Sequence, residues 1–250
     1  MPTLISYKND PKLKELLVDE IINHRKNDQI IQGTYGRGEN GIWRGCAVGC
    51  SVHSLNLRLN KNYSTSDHSV YEKELGIPEW LARLEDTIFE GLPKSEAVKW
   101  PEQFAQAVPV GVNLEPIKWK FCIFLMKENI DRMMKLKIAD NLKEKVVKAI
   151  TQVLVVHEEA IKTGKWNQSA ARSAARSAES AARSAARSAA RSAAWSAESA
   201  AWSAAWSAAR SAESAARSAE SAAWSAESAA RSAAYKRYAQ ELLKIITENK

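Results

Sequence analysis

The sequence predicts an all-α protein, in which a helical domain is followed by a long Ala/Ser-rich helix or helical hairpin packed on it. Two observations predict this class. Apolar residues in the first part recur at three- and four-residue intervals, and the chain from Ser169 to Tyr235 is built almost wholly from Ser, Ala, Arg, Glu and Trp. Both patterns fit the helical period of about 3.6 and not the strand period of 2. We therefore predict a compact helical domain at residues 1–165 and a repeat region at 166–250.

Six features are predicted in order along the first part of the chain, each bounded by a capping residue, Pro, Gly or a change in periodicity. They are a helix opened by Asp10 and Pro11 that runs through Ile22, a glycine-rich connection at Gln29–Arg44, a short helix at Cys46–Leu57, a polar loop at Leu59–Ser69, a helix from Pro78 to Gly91, and a further helix that Ser95 caps and Pro109 ends.

Two apolar stretches complete the first domain. Ile117–Met126 is either a helix or a buried strand, because its length and flanks fit both. Asp131–Lys162 is predicted to be one helix that ends at Gly164. Its apolar row is Met134, Ile138, Leu142, Val146 and Ile150.

The repeat is analysed through its serines. Eighteen serines lie from Ser169 to Ser232, so seventeen steps cover 63 residues, about 3.7 residues each. Ala, Arg and Glu are good helix formers, so the repeat is predicted to be helical. From Ser169 to Ser196 the step is longer, about 3.86 residues, which turns the serine row half-way round the helix. We expect right-handed coiling around neighbours there, or two separate helices.

The faces of the repeat helix predict what it contacts. One side carries little but Ala and Ser, which allows another helix to approach closely. The other side carries a row of Trp and Arg, formed by Trp166, Trp195, Trp202, Trp206 and Trp224 with several arginines. The predicted partner is the protein itself or another helical protein, bound through the small side. An alternative is that the Trp/Arg row stacks the bases of a nucleic acid.

Charge and cysteine usage limit the other partners. The net charge is +7, and residues 169–250 hold twelve Lys/Arg against seven Glu, so the mild basic surplus lies mainly on the repeat. We expect no membrane partner, since the charges are mixed and no run of eighteen uncharged apolar residues exists. Three cysteines without an export signal predict reduced thiols and a cytoplasmic location.

The glycine-rich segment before Cys46 gives the strongest indication of chemistry. A cysteine at a helix N-terminus has a lowered thiol pKa, as a nucleophile needs. Cys46 is therefore a candidate catalytic nucleophile of a hydrolase or transferase, with His68 as its base and Asp67 or Glu72 as the group that orients His68. The competing interpretation is that Cys46 and Cys50 are small apolar residues at a tight helix contact.

The same residues allow a metal site. Cys46, Cys50, His53 and His68 supply four ligands of the kind that zinc prefers, although their spacing matches no standard finger. Zinc is the only cofactor that the sequence suggests, and the main prediction includes no cofactor.

Two smaller clusters of acidic and histidine side chains are further candidate sites. Glu85, Asp86 and Glu90 lie on the helix after Pro78 and are candidate paired carboxylates, but Arg83 and solvent satisfy them equally well. His157-Glu158-Glu159 lacks the second histidine of a zinc-protease helix and is predicted to be a solvated face.

Two segments carry a resemblance to known sequences. Gly45-Cys-Ala-Val-Gly-Cys50 and Leu75-Gly-Ile-Pro-Glu-Trp-Leu-Ala-Arg-Leu-Glu-Asp-Thr-Ile-Phe-Glu-Gly-Leu-Pro93, followed by the Ser-Ala repeat, are similar to uncharacterised bacterial and phage proteins. The resemblance covers about residues 30–235. It implies a cytoplasmic, microbial or viral setting and supplies no activity and no catalytic residues. From the sequence we therefore expect a structural or protein-interaction module, with the cysteine enzyme and the zinc- or nucleic-acid-binding protein as alternatives.

Overall fold

The computed structural model confirms the all-α class. It describes residues 4–39, 42–136, 140–165 and 209–249 and, between them, residues 167–170, 172, 173, 176, 177, 179, 180, 183 and 187; for residues 39 and 209–226 it describes the backbone alone. Helices account for 73% of the described residues and strands for 4%. No helix within these ranges combines the length and the apolar character that crossing a membrane requires.

The elements follow one another with short connections in most of the chain. In order they are a 3₁₀ turn at Ser6–Asn9, α1 at Pro11–Lys26, β1 at Arg37–Glu39, β2 at Ile42–Arg44, α2 at Ala47–Leu59, a π-helical turn at Tyr71–Leu75, α3 at Glu79–Gly91, α4 at Lys94–Ala97, α5 at Trp100–Ala107, α6 at Ile117–Lys135, α7 at Asp140–Thr163 and α8 at Ala209–Thr247.

The chain divides into two units. Unit 1 comprises residues 1–118 and 228–250, and unit 2 comprises residues 119–227. The boundary near residue 165 that composition predicts stays a prediction.

Unit 1 is organised around large buried side chains of α3 and α5 and of the segments that precede them. Trp100, Tyr7, Tyr71, Phe89 and Phe104 are all buried to 2% exposure or less. Polar atoms of these rings are satisfied inside the core: the Trp100 indole donates to the Glu85 carbonyl at 3.0 Å, and the Tyr7 hydroxyl donates to the Ala105 carbonyl at 2.8 Å. This core fixes α3, which carries the carboxylates described below.

The glycine-rich connection contains a small hairpin that the sequence analysis missed. β1 pairs antiparallel with β2, and Arg37 lies opposite Arg44. Just before β1, the connection passes over the start of α2, where a Cβ on Gly49 would lie 1.9 Å from the Tyr35 carbonyl oxygen. Glycine is required there because the two backbones approach too closely for any side chain. This contact places Tyr35 above the N-terminus of α2.

The structure shows whether the apolar stretch Ile117–Met126 is a helix or a buried strand. Ile117–Met126 forms the first half of α6, so the stretch is helical. The single helix predicted for Asp131–Lys162 is divided, because α6 ends at Lys135 and α7 begins at Asp140. Trp119 of α6 contacts His157 of α7 edge to face, with ring centroids 5.9 Å apart. The predicted end at Gly164 is correct, since this residue has a φ of 65°.

The apolar row predicted for that helix is only partly correct. Val146 is buried, with 6% of its surface exposed, whereas Met134 is 57% exposed on the last turn of α6. Ile138 lies outside the described residues.

The last helix, α8, contains the end of the repeat and the C-terminus of the chain. Residues 227–231 are exposed, and burial begins beyond them. The buried side chains are Ala234, Ala239, Leu242, Ile245 and Ile246. A single helix from 166 to 247 stays a prediction, because residues 188–208 lie outside the described ranges.

Candidate functional site

The predicted helix after the glycine-rich segment is present, and Cys46 is its N-cap. The Cys46 Sγ accepts a hydrogen bond from the Gly49 N–H at 3.4 Å. Cys50, one turn later, donates its thiol to the Gly45 carbonyl at 3.4 Å. Both side chains are buried, Cys46 to 1% and Cys50 to 0% exposure. Each sulfur therefore has a structural role inside the core.

The surroundings of both thiols oppose their ionisation. Burial raises the pKa of Cys46 far above its usual value, and the negative charge of Asp86 raises it further. Burial also raises the pKa of Cys50. The position of Cys46 at a helix N-terminus predicts a lowered thiol pKa, but this prediction is wrong because burial and the neighbouring carboxylate have the larger effect. Both residues are thiols at neutral pH.

His68 lies in the same cluster, and both of its ring nitrogens are engaged. Nε2 is 3.2 Å from Oδ2 of Asp86, and Nδ1 is 3.1 Å from the carbonyl oxygen of Ser66. A carbonyl only accepts, so Nδ1 carries a proton. The contact between Nε2 and Oδ2 joins the imidazole to the buried carboxyl group of Asp86. Both ring nitrogens of His68 are therefore used within the core.

Asp86 is the group that links the cluster. The Tyr35 ring lies edge-on to His68, with ring centroids 5.7 Å apart. Burial raises the pKa of Tyr35, and the charge of Asp86 adds to that effect. The second oxygen of Asp86, Oδ1, is buried and has no hydrogen-bond partner in the described part of the chain. Cys46, His68 and Tyr35 thus surround one carboxyl group that is only partly satisfied.

Glu85, the residue before Asp86, is buried still more deeply. Its exposure is 0%, and neither carboxyl oxygen has a hydrogen-bond partner among the described residues. Burial raises the pKa of Glu85 well above its ordinary value; the Tyr71 hydroxyl opposes this change and the charge of Asp86 supports it. Burial therefore favours the neutral carboxylic acid form of Glu85.

The residues predicted to orient His68 have other partners. Asp67 accepts the N–H of Ser69 at 3.0 Å, and Glu72 accepts the N–H of Glu79 at 3.4 Å. Asp86 occupies the orienting position instead. The expectation that Arg83 and solvent satisfy the α3 carboxylates is wrong for Glu85 and Asp86, since both are buried.

The spacing of α3 contains the signal that was missed. Glu85 follows Leu81 by four residues and precedes Ile88 by three, so it lies on the apolar face of the helix. Glu90 is the most exposed of the three acids and accepts the Gly33 N–H at 3.1 and 3.0 Å.

The four predicted metal ligands do not share one centre. His53 stacks on Trp43 with ring centroids 4.2 Å apart and planes 4° apart, on the side of α2 that also meets His24. His68 is held by Asp86, as described above. Across the ranges that the structure describes, no three His, Cys, Asp or Glu side chains are grouped so that they would hold a metal ion.

His157, predicted to be solvated, is 8% exposed and hydrogen-bonded through Nδ1 to the Val153 carbonyl oxygen, 2.9 Å away. That expectation is wrong for the histidine and correct for Glu159, which is exposed.

The described part of the repeat is a second surface of interest. Its arginines at 172, 176, 183 and 187 are all exposed, and Glu179 forms an ion pair with Arg183. A concavity of about 430 Å³ is lined by Gln168, Ser169, Arg172, Ser173 and Arg176. The Trp residues at 166, 195, 202 and 206 lie outside the described residues, as does the side chain of Trp224, so the predicted stacking row stays a prediction.

Comparison with known proteins finds no protein family, curated protein or solved structure that matches the chain. The resemblance to bacterial and phage proteins therefore stays a prediction, and function has to be argued from the geometry alone.

Proposed function

We propose that the chain is a structural or protein-interaction module that associates with a second copy of itself through its Ala/Ser helix. One observation carries the proposal. The last turns of α8 are buried in unit 1, whereas residues 227–231 of the same helix are exposed, as is every described serine and arginine between residues 167 and 187. A helix that is anchored at its C-terminal end and exposed just before that anchor is suited to binding another helix.

The anchor is built by close packing. A Cβ on Gly91 would lie 2.2 Å from Cδ2 of Tyr235, so the α8 ring rests directly on the α3 backbone. Lys236 forms an ion pair with Glu96, and the Asn249 amide donates to the Asn113 carbonyl oxygen at 3.1 Å. These contacts hold α8 from its C-terminal end.

The small side of the repeat supplies the surface for association. At about 100° per residue, positions 174, 178, 181 and 185 fall within about 60° of one another, and all four are alanines. These positions lie outside the described residues and are taken from the helical spacing. Alanine on both sides allows helix axes to approach to about 8 Å.

A second copy is favoured as the partner because the repeat is complementary to itself in charge. Residues 172–191 hold five Arg and one Glu, whereas residues 198–227 hold four Glu and two Arg. Pairing the first section of one chain with the second section of another brings opposite charges together.

Sedimentation equilibrium of the full chain tests the proposal. The expected mass is a multiple of the 27.7 kDa protomer. The variant A174Q/A178Q/A181Q/A185Q replaces the small side by long polar side chains and should be monomeric. The matched variant A174S/A178S/A181S/A185S keeps the small side and should associate as wild type does. A wild-type chain that remains at protomer mass at every concentration at which it stays in solution would contradict the proposal.

The alternative activities have less support from the geometry. A cysteine hydrolase or transferase needs an ionised Cys46 and a histidine nitrogen free to accept its proton, but the thiol is buried and His68 uses both nitrogens. A zinc site needs ligands that converge, and His53 and His68 have separate partners. A cytoplasmic location belongs to the proposal, since Cys46 and Cys50 are unpaired thiols one turn apart.

A further inference from the structure

The described first section of the repeat carries a row of arginines. Arg172, Arg176, Arg183 and Arg187 are separated by steps of four, seven and four residues, and all are exposed. At about 100° and 1.5 Å per residue, the row stays within about 60° of the helix surface and is about 22 Å long. The opposite side of the helix is the alanine side described above.

The charges within this row are unbalanced. Arg172 and Arg176 are four residues apart, as are Arg183 and Arg187, so each pair places like charges on adjacent turns. One acid lies in the row, Glu179, and it is paired with Arg183.

The later arginines of the repeat differ. Arg217 follows Glu213 by four residues, and Arg231 follows Glu227 by four, which is the favourable order for a helical ion pair. The spacing thus places an acid one turn before two of the later arginines, whereas the first section carries four exposed arginines against one acid and has a net positive charge that attracts anions.

The side chains beside the row are donors suited to phosphate oxygens. Gln168, Ser169 and Ser173 line the concavity of about 430 Å³ together with Arg172 and Arg176. Serine hydroxyls, glutamine amides and arginine guanidinium groups all donate hydrogen bonds to phosphate in nucleic-acid complexes. No large apolar side chain lies among the described residues from 167 to 187, so the anchor that an interfacial membrane helix requires is missing from this part of the surface.

We propose that the row of Arg172, Arg176, Arg183 and Arg187 binds the phosphodiester backbone of a nucleic acid, without reading its bases. The row supplies guanidinium groups at regular intervals over a length that matches several phosphates of an extended polyanion. The binding goes beyond self-association and does not require it, because the two surfaces lie on opposite sides of the repeat helix.

Fluorescence anisotropy with the full-length protein tests this assignment. The probes are a labelled single strand and a labelled duplex, each about 20 nucleotides or base pairs long, titrated from about 50 to 200 mM salt. R172Q/R176Q/R187Q removes three arginines of the row and keeps the Glu179–Arg183 pair. R210Q/R217Q/R231Q is the matched control, because it removes the same number of charges from the later repeat, and glutamine is a good helix former in both.

We expect wild type to bind both probes with little dependence on base sequence. The row variant should lose at least about 10-fold in affinity, and the slope of log K against log salt on the duplex should fall by about 3. The control variant should change affinity by less than about 2-fold. Circular dichroism checks that the two variants have equal helicity.

Three results would overturn the assignment. Equal losses in the two variants would show that total charge, and not this row, attracts the probe. Absence of wild-type binding at the lowest salt would remove the site. Binding to vesicles of anionic lipid without binding to either nucleic acid would show that the row meets a membrane surface. The variant A174Q/A178Q/A181Q/A185Q separates this inference from self-association, because it keeps every arginine of the row and should bind both probes as wild type does although it is monomeric.

Discussion

The compact core of unit 1 and the repeat differ in where their ionisable side chains lie: buried in the core and exposed on the repeat. In the core, Glu85 is a carboxyl group removed from water and without a hydrogen-bond partner among the described residues, and burial favours its neutral form. In the repeat, Arg172 and Arg176 are exposed, and the unfavourable free-energy term is repulsion between like charges one helical turn apart. The first region is therefore sensitive to pH and the second to salt, which gives each a distinct experimental signature.

The largest expected effect concerns the buried thiols. In the C122S background, iodoacetamide at neutral pH should modify Cys46 and Cys50 in the native protein about 100-fold or more slowly than in urea, because burial hides both sulfurs and keeps them protonated. Mass spectrometry of timed samples measures the two rates. Rapid labelling of Cys46 in the native protein would show that its thiol is accessible and ionised, and Cys46 would again be a candidate nucleophile.

The second effect is the pH dependence that Glu85 gives to stability. Its pKa is raised in the folded state, so the native protein binds more protons than the unfolded chain above a pH of about 4.5. The stabilisation is complete below that pH and is lost as the pH rises through the folded pKa, at up to about 1.4 kcal/mol per pH unit. Urea unfolding from pH 5 to 8 should show a flatter profile for E85Q than for wild type.

The exposed Glu15 is the control for that measurement, and E15Q should leave the profile as it is in wild type. If E85Q and wild type have parallel profiles, Glu85 does not stay protonated in the core, and the contrast between the two regions is lost.

The third effect concerns the anchor of α8. Gly91→Ala places a methyl group against the Tyr235 ring and should reduce the free energy of unfolding by about 1–3 kcal/mol, as over-packing does. Hydrogen exchange at Leu242 and Ile246 should quicken, since these buried residues depend on the same contact. Gly38→Ala is the control, because a Cβ at Gly38 meets nothing within 4 Å. If the hydrogen-exchange rates of Leu242 and Ile246 are unchanged in Gly91→Ala, contacts other than Tyr235 on Gly91 hold α8 in place.

The smallest effect is expected at the ion pair beside that anchor. Both partners of the Lys236–Glu96 pair have side chains 43% exposed, so E96Q should cost no more than about 1 kcal/mol. Thermal unfolding at low and high salt measures it, and high salt should remove most of the difference. A loss as large as that of Gly91→Ala would mean that charge, and not packing, holds the helix.

Much of the fold is predictable from periodicity and from helix ends. The helix starting at Pro11, the helix capped by Cys46 and the end at Gly164 follow from local patterns. The hairpin of β1 and β2 was missed because strands of three residues are too short to show alternation. The division between Lys135 and Asp140 was missed because the apolar row continues across it.

The candidate site was only half predictable. Cys46 and His68 were selected from their chemistry, and both lie in one cluster. Their shared partner, Asp86, was placed in another group, because sequence order does not show that α3 packs against the start of α2. The position of Glu85 on the apolar row of α3 was visible in the sequence and would have identified a buried acid. Its protonation depends on burial by other elements, which no local pattern reveals.

The attachment of α8 at its C-terminal end determines how the repeat can change in length. Each residue inserted into α8 ahead of Tyr235 turns the part of α8 before it by about 100° about the axis, while Tyr235 stays on Gly91. Insertions of about 7 or 11 residues restore the facing of that part of α8 to within about 20°, whereas an insertion of 2 residues turns it to nearly the opposite side. Insertions of about 7 or 11 residues would therefore lengthen α8 and preserve both its attachment and the facing of its side chains.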